Sequence, residues 1–387
     1  MEQNLCYPSD VSLVGPIVAC IPVCNEEAYI KFCLNAFAEQ DVDRSFYLLL
    51  LLNNCTDRTL EIVTNFTSPP GMHLFVEERR FPPSAANAGY ARHIAMQLAR
   101  QLAGAQGVLL CTDADAVVPR SWVRKNLQAI AAGADAVFGR TELDPRDYAL
   151  LPPRMHEDEA AAQLLTRLID QIDCVIDPDP FDPWPRHAEH SGASIAVTSQ
   201  AFDASGGIPC VPSSEDRAFF LALRRVDARI RHDPEIAVTV SGRLEGRAPG
   251  GMAETLRRRL IAPDIFLDDC IEAPDRRQRR ARIRACLRRI YADAAHGTVN
   301  LSHMRKSWSE MKLPASLFFL LRGSNTFGTL WQELEKSADV LKKDLVPSVR
   351  IRSEIDLAES IIGMEVSSST YISQPGHVSM GCEECPH

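Results

Sequence analysis

The chain has 387 residues, 45% hydrophobic and 24% charged, which excludes a single small module and a wholly disordered protein. Its 42 Lys and Arg against 51 Asp and Glu give a net charge of −9, so no global positive charge attracts nucleic acid or anionic lipid. No apolar run approaches the roughly 20 residues of a membrane-spanning helix. The N-terminus lacks the basic and apolar segments of a secretory signal, and the 12 cysteines are scattered, which together predict a cytoplasmic protein.

Four units of strand followed by helix make up the first third of the chain. Apolar, β-prone runs precede amphipathic stretches each time, with strands predicted at 17–23, 46–54, 73–78 and 107–115, and helices at 24–40, 55–66, 84–103 and 119–133. This alternation predicts an α/β fold with a Rossmann-like, doubly wound, mostly parallel sheet and helices on both faces.

The alternation stops after residue 140. An acidic helix and a Pro-rich stretch suggest an insertion at about 141–185, after which two strands and a helix complete the sheet domain. Mainly helical patterns continue to residue 362, and the last residues, rich in Ser, Gly and Pro, read as a disordered tail. We therefore expect a catalytic domain at 15–250, a helical C-terminal extension at 251–362 and a tail at 363–387.

Two carboxylates stand at the end of the fourth predicted strand. Asp113 and Asp115 are two residues apart, so strand alternation points them to the same side. Ligands of doubly wound sheets bind at the carboxyl ends of the strands, and paired carboxylates there suit Mg²⁺ or Mn²⁺ holding a diphosphate. Capping or solvated carboxylates are the plain alternative.

Five short motifs, each at a strand or helix end, together resemble the glycosyltransferase family 2 enzymes with their GT-A fold. They are IPVCNEE at 21–27, NNCTDRT at 53–59, ANAGYAR at 86–92, DAD at 113–115 and SSEDRAFF at 213–220. The resemblance covers about residues 15–250. It implies a nucleotide-sugar donor, a divalent cation and transfer of the sugar to an acceptor.

The resemblance implies a nucleotide pocket after the first two strands. Pro22, Asn25 and Glu27 would line it, with Glu27 near the ribose, although Asn followed by Glu is also a helix-capping pattern. Asn53 and Asp57 match the motif that reads the base. Asn53 stands where the family usually has Asp, so UDP-, GDP- and dTDP-sugars all stay open as donors.

The resemblance also implies residues for the donor diphosphate. Asn87, Gly89 and Arg92 match the segment that approaches it, and Asp113 belongs to the donor site through the cation. An arginine at a helix start can donate hydrogen bonds to phosphate oxygens. An ordinary surface arginine is the alternative for Arg92.

An acidic pair, Glu215 and Asp216, opens a predicted helix and matches the acceptor-side motif of the family. Asp216 is the candidate general base, because an attacking hydroxyl or amine must lose a proton. Two carboxylates at a helix N-terminus are also favoured by the helix dipole alone. His190, in a segment that matches the acceptor-side strand, would meet the acceptor.

Three further residues are weaker candidates. His232 would be a third metal ligand, although a histidine satisfied within the structure is the commoner case. Arg243 and Arg247 lie in a Gly-rich segment that would fold over the diphosphate as a lid, unless the segment is an ordinary linker.

Two charged or cysteine-containing segments remain. Residues 276–289 hold eight arginines and no acid, with apolar residues on one face. We favour packing by that face with a solvated arginine face over docking to lipid or nucleic acid, because no aromatic residue interleaves the arginines. The CEEC pair at 382–385 with His387 lacks the second pair of a structural zinc site.

The sequence thus predicts a metal-dependent, inverting glycosyltransferase that takes a small-molecule or glycan acceptor and no nucleic acid. One alternative is a phosphatase resembling the haloacid dehalogenases, with Asp113 of DADAV as nucleophile. That motif normally opens its domain, and here three strand–helix units precede it. The other alternative is a nucleotide-sugar-binding protein without turnover.

Overall fold

An eight-stranded mixed sheet lies at the centre of the computed structural model, which describes residues 15–246, 251–268, 270–296 and 300–372. In chain order the strands are β1 (Ile17–Val23), β2 (Phe46–Asn53), β3 (Met72–Arg79), β4 (Val108–Cys111), β5 (Ala116–Val117), β6 (Ala136–Leu143), β7 (Ile195–Thr198) and β8 (Ile230–Val240). Their order is β3-β2-β1-β4-β7-β6-β8-β5, and four of these seven neighbouring pairs are parallel.

Helices cover both faces of the sheet and form the C-terminal part. The first group is α1 (Ile30–Ala38), α2 (Thr59–Thr64), α3 (Ala88–Ala103), α4 (Trp122–Ala131), α5 (Pro145–Ala149), α6 (Pro153–Ile176), α7 (Ser199–Ser205) and α8 (Glu215–Arg225). The second group is α9 (Met252–Ile261), α10 (Pro274–Ala295), α11 (Leu301–Glu310), α12 (Leu320–Gly323), α13 (Phe327–Ser337) and α14 (Ile351–Ile372). The predicted α/β class with a helical C-terminal extension is confirmed.

The sheet separates two apolar cores. In β2, Leu48 and Leu50 pack into the core that includes α1, α2 and α4, while Leu49 and Leu51 pack into the core that includes α3, α7 and α8. Successive strand residues point to opposite faces, so a continuous apolar run is what a strand buried on both faces requires. The leucine run is therefore fully explained by its position inside the sheet.

The carboxyl ends of six strands lie along one edge of the sheet, because β3 is parallel to β2. β1, β2 and β4 are mutually parallel, and β6 and β8 run the same way because β7 is antiparallel to both β4 and β6. The chain order reverses between β1 and β4, which is the switch point where doubly wound sheets bind ligands. The candidate site residues after β1, β2, β4 and β8 are consequently brought to this edge.

The insertion and the extension are joined by ion pairs with buried carboxylates, and this corrects part of the expected solvated arginine face of α10. Arg277 donates to Asp173 at 2.7 Å and to Glu272 at 3.0 Å. Arg284 donates to Asp177 at 2.5 Å. These acids thus take Arg277 and Arg284 largely out of solvent, whereas Arg279, Arg282, Arg288 and Arg289 stay exposed. The apolar stripe of α10 packs into its own core as expected. We call the contact between α6 and α10 the ionic seam.

Two buried aspartates of the ionic seam have pKa values shifted in opposite directions. Burial would raise the pKa of Asp173, but Arg277 and Arg284 lower it below its usual value. Burial raises the pKa of Asp170 to about 6, although Arg186 and Arg277 oppose the shift. Asp170 reaches Arg277 only at 4.0 Å, so this carboxylate is poorly compensated at neutral pH.

The C-terminal helix extends further than expected. The sequence places the start of the tail at residue 363, but α14 continues to Ile372. Glu365 accepts hydrogen bonds from Gln278 at 2.7 Å and from Arg282 at 2.6 Å, which ties this part of α14 to α10. The CEEC pair and His387 lie outside the described residues.

No helix within the described ranges has the length and apolarity needed to cross a bilayer.

Asp170→Asn should change the pH dependence of stability. The pKa of Asp170 is higher in the folded protein than in the unfolded chain, so this carboxyl stabilises the fold below about pH 4. That stabilisation is lost as pH rises through about 6. Raising the pKa of Asp170 from 3.8 to about 6 corresponds to roughly 3 kcal/mol of unfolding free energy. Urea unfolding should therefore show the variant gaining up to about 3 kcal/mol on the wild type between pH 4.5 and pH 7.5. The exposed Asp158→Asn in the same helix is the control; equal pH profiles for all three proteins would contradict the assignment.

Candidate functional site

The loops after β1 and β2 are hydrogen-bonded to each other through the residues that are predicted to bind the nucleotide. The Asn25 side chain accepts from the Thr56 amide at 2.7 Å. Glu27 accepts from the Arg58 amide at 3.0 Å, and the Glu27 amide donates to Asp57 at 3.0 Å. These contacts fix the loops as one wall of the edge and cap the start of α2.

The two remaining residues of this predicted pocket lie in the strands themselves. Pro22 is half-buried in β1. Asn53 is buried at the end of β2, where its amide donates to the Val23 carbonyl at 2.9 Å. Asn53 therefore holds the ends of β1 and β2 together, and its role toward a base stays a prediction.

Asp113 and Asp115 lie between β4 and β5 at the carboxyl edge, next to the switch point. Asp113 accepts from Arg92 at 2.7 Å, and Asp115 accepts from Arg243 at 2.9 Å. Burial raises the pKa of Asp115 to about 6, with the charges of Asp113 and Glu26 adding to the effect and Arg243 opposing it. Negative charge is thus concentrated here beyond what the two arginines neutralise.

Arg92 is the most deeply engaged side chain of the site. Its guanidinium donates to Asp113 at 2.7 Å, to Glu215 at 2.7 Å and to the Gly192 carbonyl at 2.9 Å. Arg92 and Glu215 are both buried. Arg92 therefore joins three segments of the site. The phosphate contact that the resemblance implies stays a prediction.

Glu26 is a site residue that the sequence reasoning missed. Arg243 holds its carboxylate with both terminal nitrogens, at 2.7 and 2.8 Å, and lies over the Tyr29 ring at 5.1 Å. The segment after β8 thus reaches the loop after β1. The signal in the sequence was the first glutamate of the CNEE motif, which shares the loop with Glu27. Arg247 lies outside the described residues.

Asp216 begins α8 and is bound by the loop before β7. Its carboxylate accepts from the Gly192 amide at 2.9 Å and from the Arg217 amide at 2.7 Å. Burial raises the pKa of Asp216, with Glu215 adding to the rise and Arg92 opposing it. Gly192 therefore links Arg92 through its carbonyl to Asp216 through its amide.

Asn87 and Gly89 have local structural roles. Asn87 caps α3 by accepting from the Tyr90 amide at 2.9 Å. A Cβ on Gly89 would lie 1.9 Å from the Val211 carbonyl oxygen, so only glycine lets α3 approach the segment that leads into α8. Asn87 is therefore the N-cap of α3, and its role toward a diphosphate stays a prediction.

His190 and His232 lie together, away from the aspartate pair. Their ring centroids are 5.7 Å apart, and His232 is hydrogen-bonded to Asp182 at 2.9 Å. His232 is level with Cys111 but three strands away, a separation of roughly 14 Å. The structure therefore does not bring His232 to Asp113, and its role as a ligand stays a prediction.

The aspartates fit a divalent cation as a partial ligand set. In the described ranges no cluster of three or more His, Cys, Asp or Glu side chains is arranged to hold a metal ion. Carboxylate oxygens are nevertheless the ligands that Mg²⁺ and Mn²⁺ prefer, and such ions commonly complete their shell with water and substrate phosphate oxygens. The raised pKa of Asp115 indicates crowded negative charge that a cation would relieve.

The sequence of residues 18–182 matches the family model described as Glycosyl transferase family 2. These residues include β1 to α6 and therefore both aspartates of the DAD motif, whereas Asp216 lies beyond the match. The predicted family resemblance is confirmed for these residues, which make up less than half of the chain. No curated protein matches the sequence.

Several solved structures resemble the chain at low identity. S. aureus TarS in complex with UDP-GlcNAc is 15% identical with a TM-score of 0.45, and the match covers 83% of this chain and 91% of that one. A longer TarS chain is 16% identical with a TM-score of 0.43; the match again covers 83% of this chain but only 55% of that one.

A third structure is glucosyl-3-phosphoglycerate synthase from Mycobacterium tuberculosis with Mn²⁺, UDP-glucose and phosphoglyceric acid. It is 18% identical with a TM-score of 0.37, and the match covers 66% of this chain and 84% of that one. Because all these scores are low, the family model carries the assignment.

Gly192→Ala should destabilise the protein. A Cβ at this position would lie 2.6 Å from the Arg92 guanidinium carbon. Arg92 cannot easily move away, because its guanidinium is hydrogen-bonded to Glu215 and Asp113. Overpacking of this kind costs about 1–3 kcal/mol of unfolding free energy, measurable by urea titration. Gly323→Ala is the matched control, because nothing lies within 4 Å of its added Cβ. Equal stability of Gly192→Ala and the control would contradict the close packing.

Proposed function

We propose that the chain is a metal-dependent, inverting glycosyltransferase that moves a sugar from a nucleotide-sugar donor to an acceptor hydroxyl or amine. The observation that carries the proposal is the charge arrangement at the carboxyl edge, within a glycosyltransferase domain. Four carboxylates share two arginines there: Glu26 and Asp115 bind Arg243, and Asp113 and Glu215 bind Arg92. The remaining excess of two negative charges matches one divalent cation.

Asp113 and Asp115 would hold the cation, with Mg²⁺ or Mn²⁺ as the candidates. A bound cation neutralises charge on the departing nucleotide diphosphate. The buried Arg92 fixes the half-buried Asp113 carboxylate through an ion pair, so this oxygen ligand is preorganised. Arg243 approaches Asp115 from the segment after β8 and would be the side chain that rearranges as donor and cation bind.

Asp216 is the proposed general base. Its carboxylate would take the proton of the acceptor hydroxyl while that oxygen attacks the anomeric carbon and the bond to the diphosphate breaks. The raised pKa of Asp216 brings this carboxyl closer to neutral pH, which favours proton acceptance. The Gly192 amide holds one carboxylate oxygen, and Glu215 positions the start of α8 through Arg92.

The predicted nucleotide pocket would lie at the same edge of the sheet. Pro22, Asn25, Glu27, Asn53 and Asp57 all belong to the wall built by the ends of β1 and β2, and the diphosphate would lie between this wall and Asp113. The donor base and the cytoplasmic location stay predictions. The phosphatase alternative gains no support, because Asp113 is bound by a buried arginine and the domain matches a glycosyltransferase family.

Asp115→Asn should weaken cation binding without unfolding the protein. Titration calorimetry with Mn²⁺ in the presence of a nucleotide diphosphate should show at least about tenfold weaker binding, since one of two carboxylate ligands becomes neutral. UDP, GDP and dTDP should be compared so that the same experiment identifies the base. Cation-independent nucleotide binding by the wild type would overturn the metal site.

Asp216→Asn should abolish transfer while donor binding persists. The amide is nearly isosteric and can still accept from Gly192, but it cannot take a proton, so kcat should fall by about 10²–10⁴. Donor binding is read from the melting temperature with nucleotide sugar and Mn²⁺. Asp356→Asn, an exposed carboxylate on α14, is the control. Unchanged turnover in Asp216→Asn would remove the base assignment.

A further inference from the structure

One face of α8 carries a carboxylate, an aromatic ring and a cation in succession. Asp216, Phe220 and Arg224 are spaced four residues apart, so they lie on the same side of the helix. At 1.5 Å per residue, Asp216 and Arg224 are roughly 12 Å apart along the axis. The face that begins with the proposed base therefore ends with a positive charge.

Arg224 is half-buried, and among the described residues its guanidinium makes no hydrogen bond or ion pair. It lies over the Phe220 ring at 5.7 Å. Burial lowers the pKa of Arg224 to about 10, with nearby Arg284 adding to the effect, so the group is still charged at neutral pH. Its neighbours Arg277 and Arg284, by contrast, both bind Asp173, at 2.7 and 3.3 Å.

An unpaired cation in this setting is costly, because burial removes water without supplying a counter-ion. The charges of Glu335 and Asp173 act on Arg224 from a distance, but neither carboxylate pairs with it: Glu335 binds Arg280 at 2.6 Å, and Asp173 binds Arg277 at 2.7 Å. Arg224 also keeps partial solvent contact, so a small ligand can approach it. The arrangement is typical of a site completed by an anion.

His190 connects the two ends of this face. Its ring stacks on Phe220 with centroids 3.8 Å apart, and its Nδ1 is buried without a hydrogen-bond partner. Burial lowers the pKa of His190 to about 3, with the charges of His232, Arg217 and Arg224 contributing. His190 is therefore neutral and lies two residues before Gly192, which binds Asp216.

We propose that this face of α8 is the acceptor site and that Arg224 binds an oxyanion of the acceptor, a phosphate or a carboxylate. The anion would lie on the order of 10 Å from the hydroxyl that Asp216 deprotonates. His190 and Phe220 would contact the part of the acceptor between these two groups. The guanidinium fork suits such oxyanions because two of its N–H groups can bind two oxygens at once. This inference rests on the proposed function for the role of Asp216, while anion binding at Arg224 is testable by itself.

The test measures anion binding to the full chain. The protein is first saturated with the nucleotide diphosphate that binds best in the presence of Mg²⁺, so that the donor site is filled. Inorganic phosphate and acetate are then titrated separately, with calorimetry as the readout. Arg224→Gln is compared with Arg225→Gln, its exposed neighbour on the same helix.

We expect saturable binding of phosphate or acetate to the wild type and to Arg225→Gln. Arg224→Gln should bind at least about tenfold more weakly, since a charge-assisted hydrogen bond is lost. A preference for phosphate or for acetate identifies the oxyanion. Equal anion affinity in Arg224→Gln and the wild type, or no anion binding by the wild type, would overturn the proposal.

Two further measurements keep the outcomes separate. Arg224→Lys keeps the charge and should retain part of the affinity, which distinguishes lost charge from a repacked helix. Failure of every nucleotide diphosphate to bind would contradict the proposed function. The anion titration would then be carried out on the protein without nucleotide. Anion binding that depends on Arg224 in that case would support the oxyanion site but not its link to transfer.

Discussion

The buried guanidinium of Arg92 is the constraint on which the rest of the site depends. It comes from α3 and binds the loop after β4 through Asp113, the loop before β7 through Gly192 and the start of α8 through Glu215. A buried charge is tolerated only where hydrogen-bonding partners surround it. The three segments therefore cannot move independently, and the proposed cation ligand and the proposed base are held at fixed positions relative to each other.

Much of the fold was readable because its signals are local. The alternating strand–helix units and the aspartates at the end of β4 follow from periodicity and position alone. The sequence did not predict which of the two adjacent glutamates faces Arg243. The choice depends on the turn at Asn25, whose φ is 52°. That left-handed residue rotates the chain so that Glu26 is buried and Glu27 caps α2.

The ionic seam shows a different limit of sequence reasoning. Viewed singly, α10 is a basic amphipathic helix, and its arginines are expected in solvent. In the structure, Arg277 and Arg284 are paired with Asp173 and Asp177, about 100 residues earlier in the chain. The complementary charges were visible in both segments, but only the packing of α6 against α10 decides that they meet. Charge runs must therefore be compared across helices before they are assigned to solvent or to a ligand.

The same seam explains why Arg224 is left without a carboxylate. Asp173 of α6 binds Arg277 and Arg284, and Glu335 of α13 binds Arg280, so neither of these carboxylates pairs with Arg224. The insertion and the extension thus do more than cover the sheet: they enclose the α8 face and fix its charge. The family match ends at residue 182, before α8 and the extension begin. The donor edge follows the family pattern, whereas the cationic end of the acceptor face is built largely from residues beyond it, which is where selectivity for an acceptor would arise.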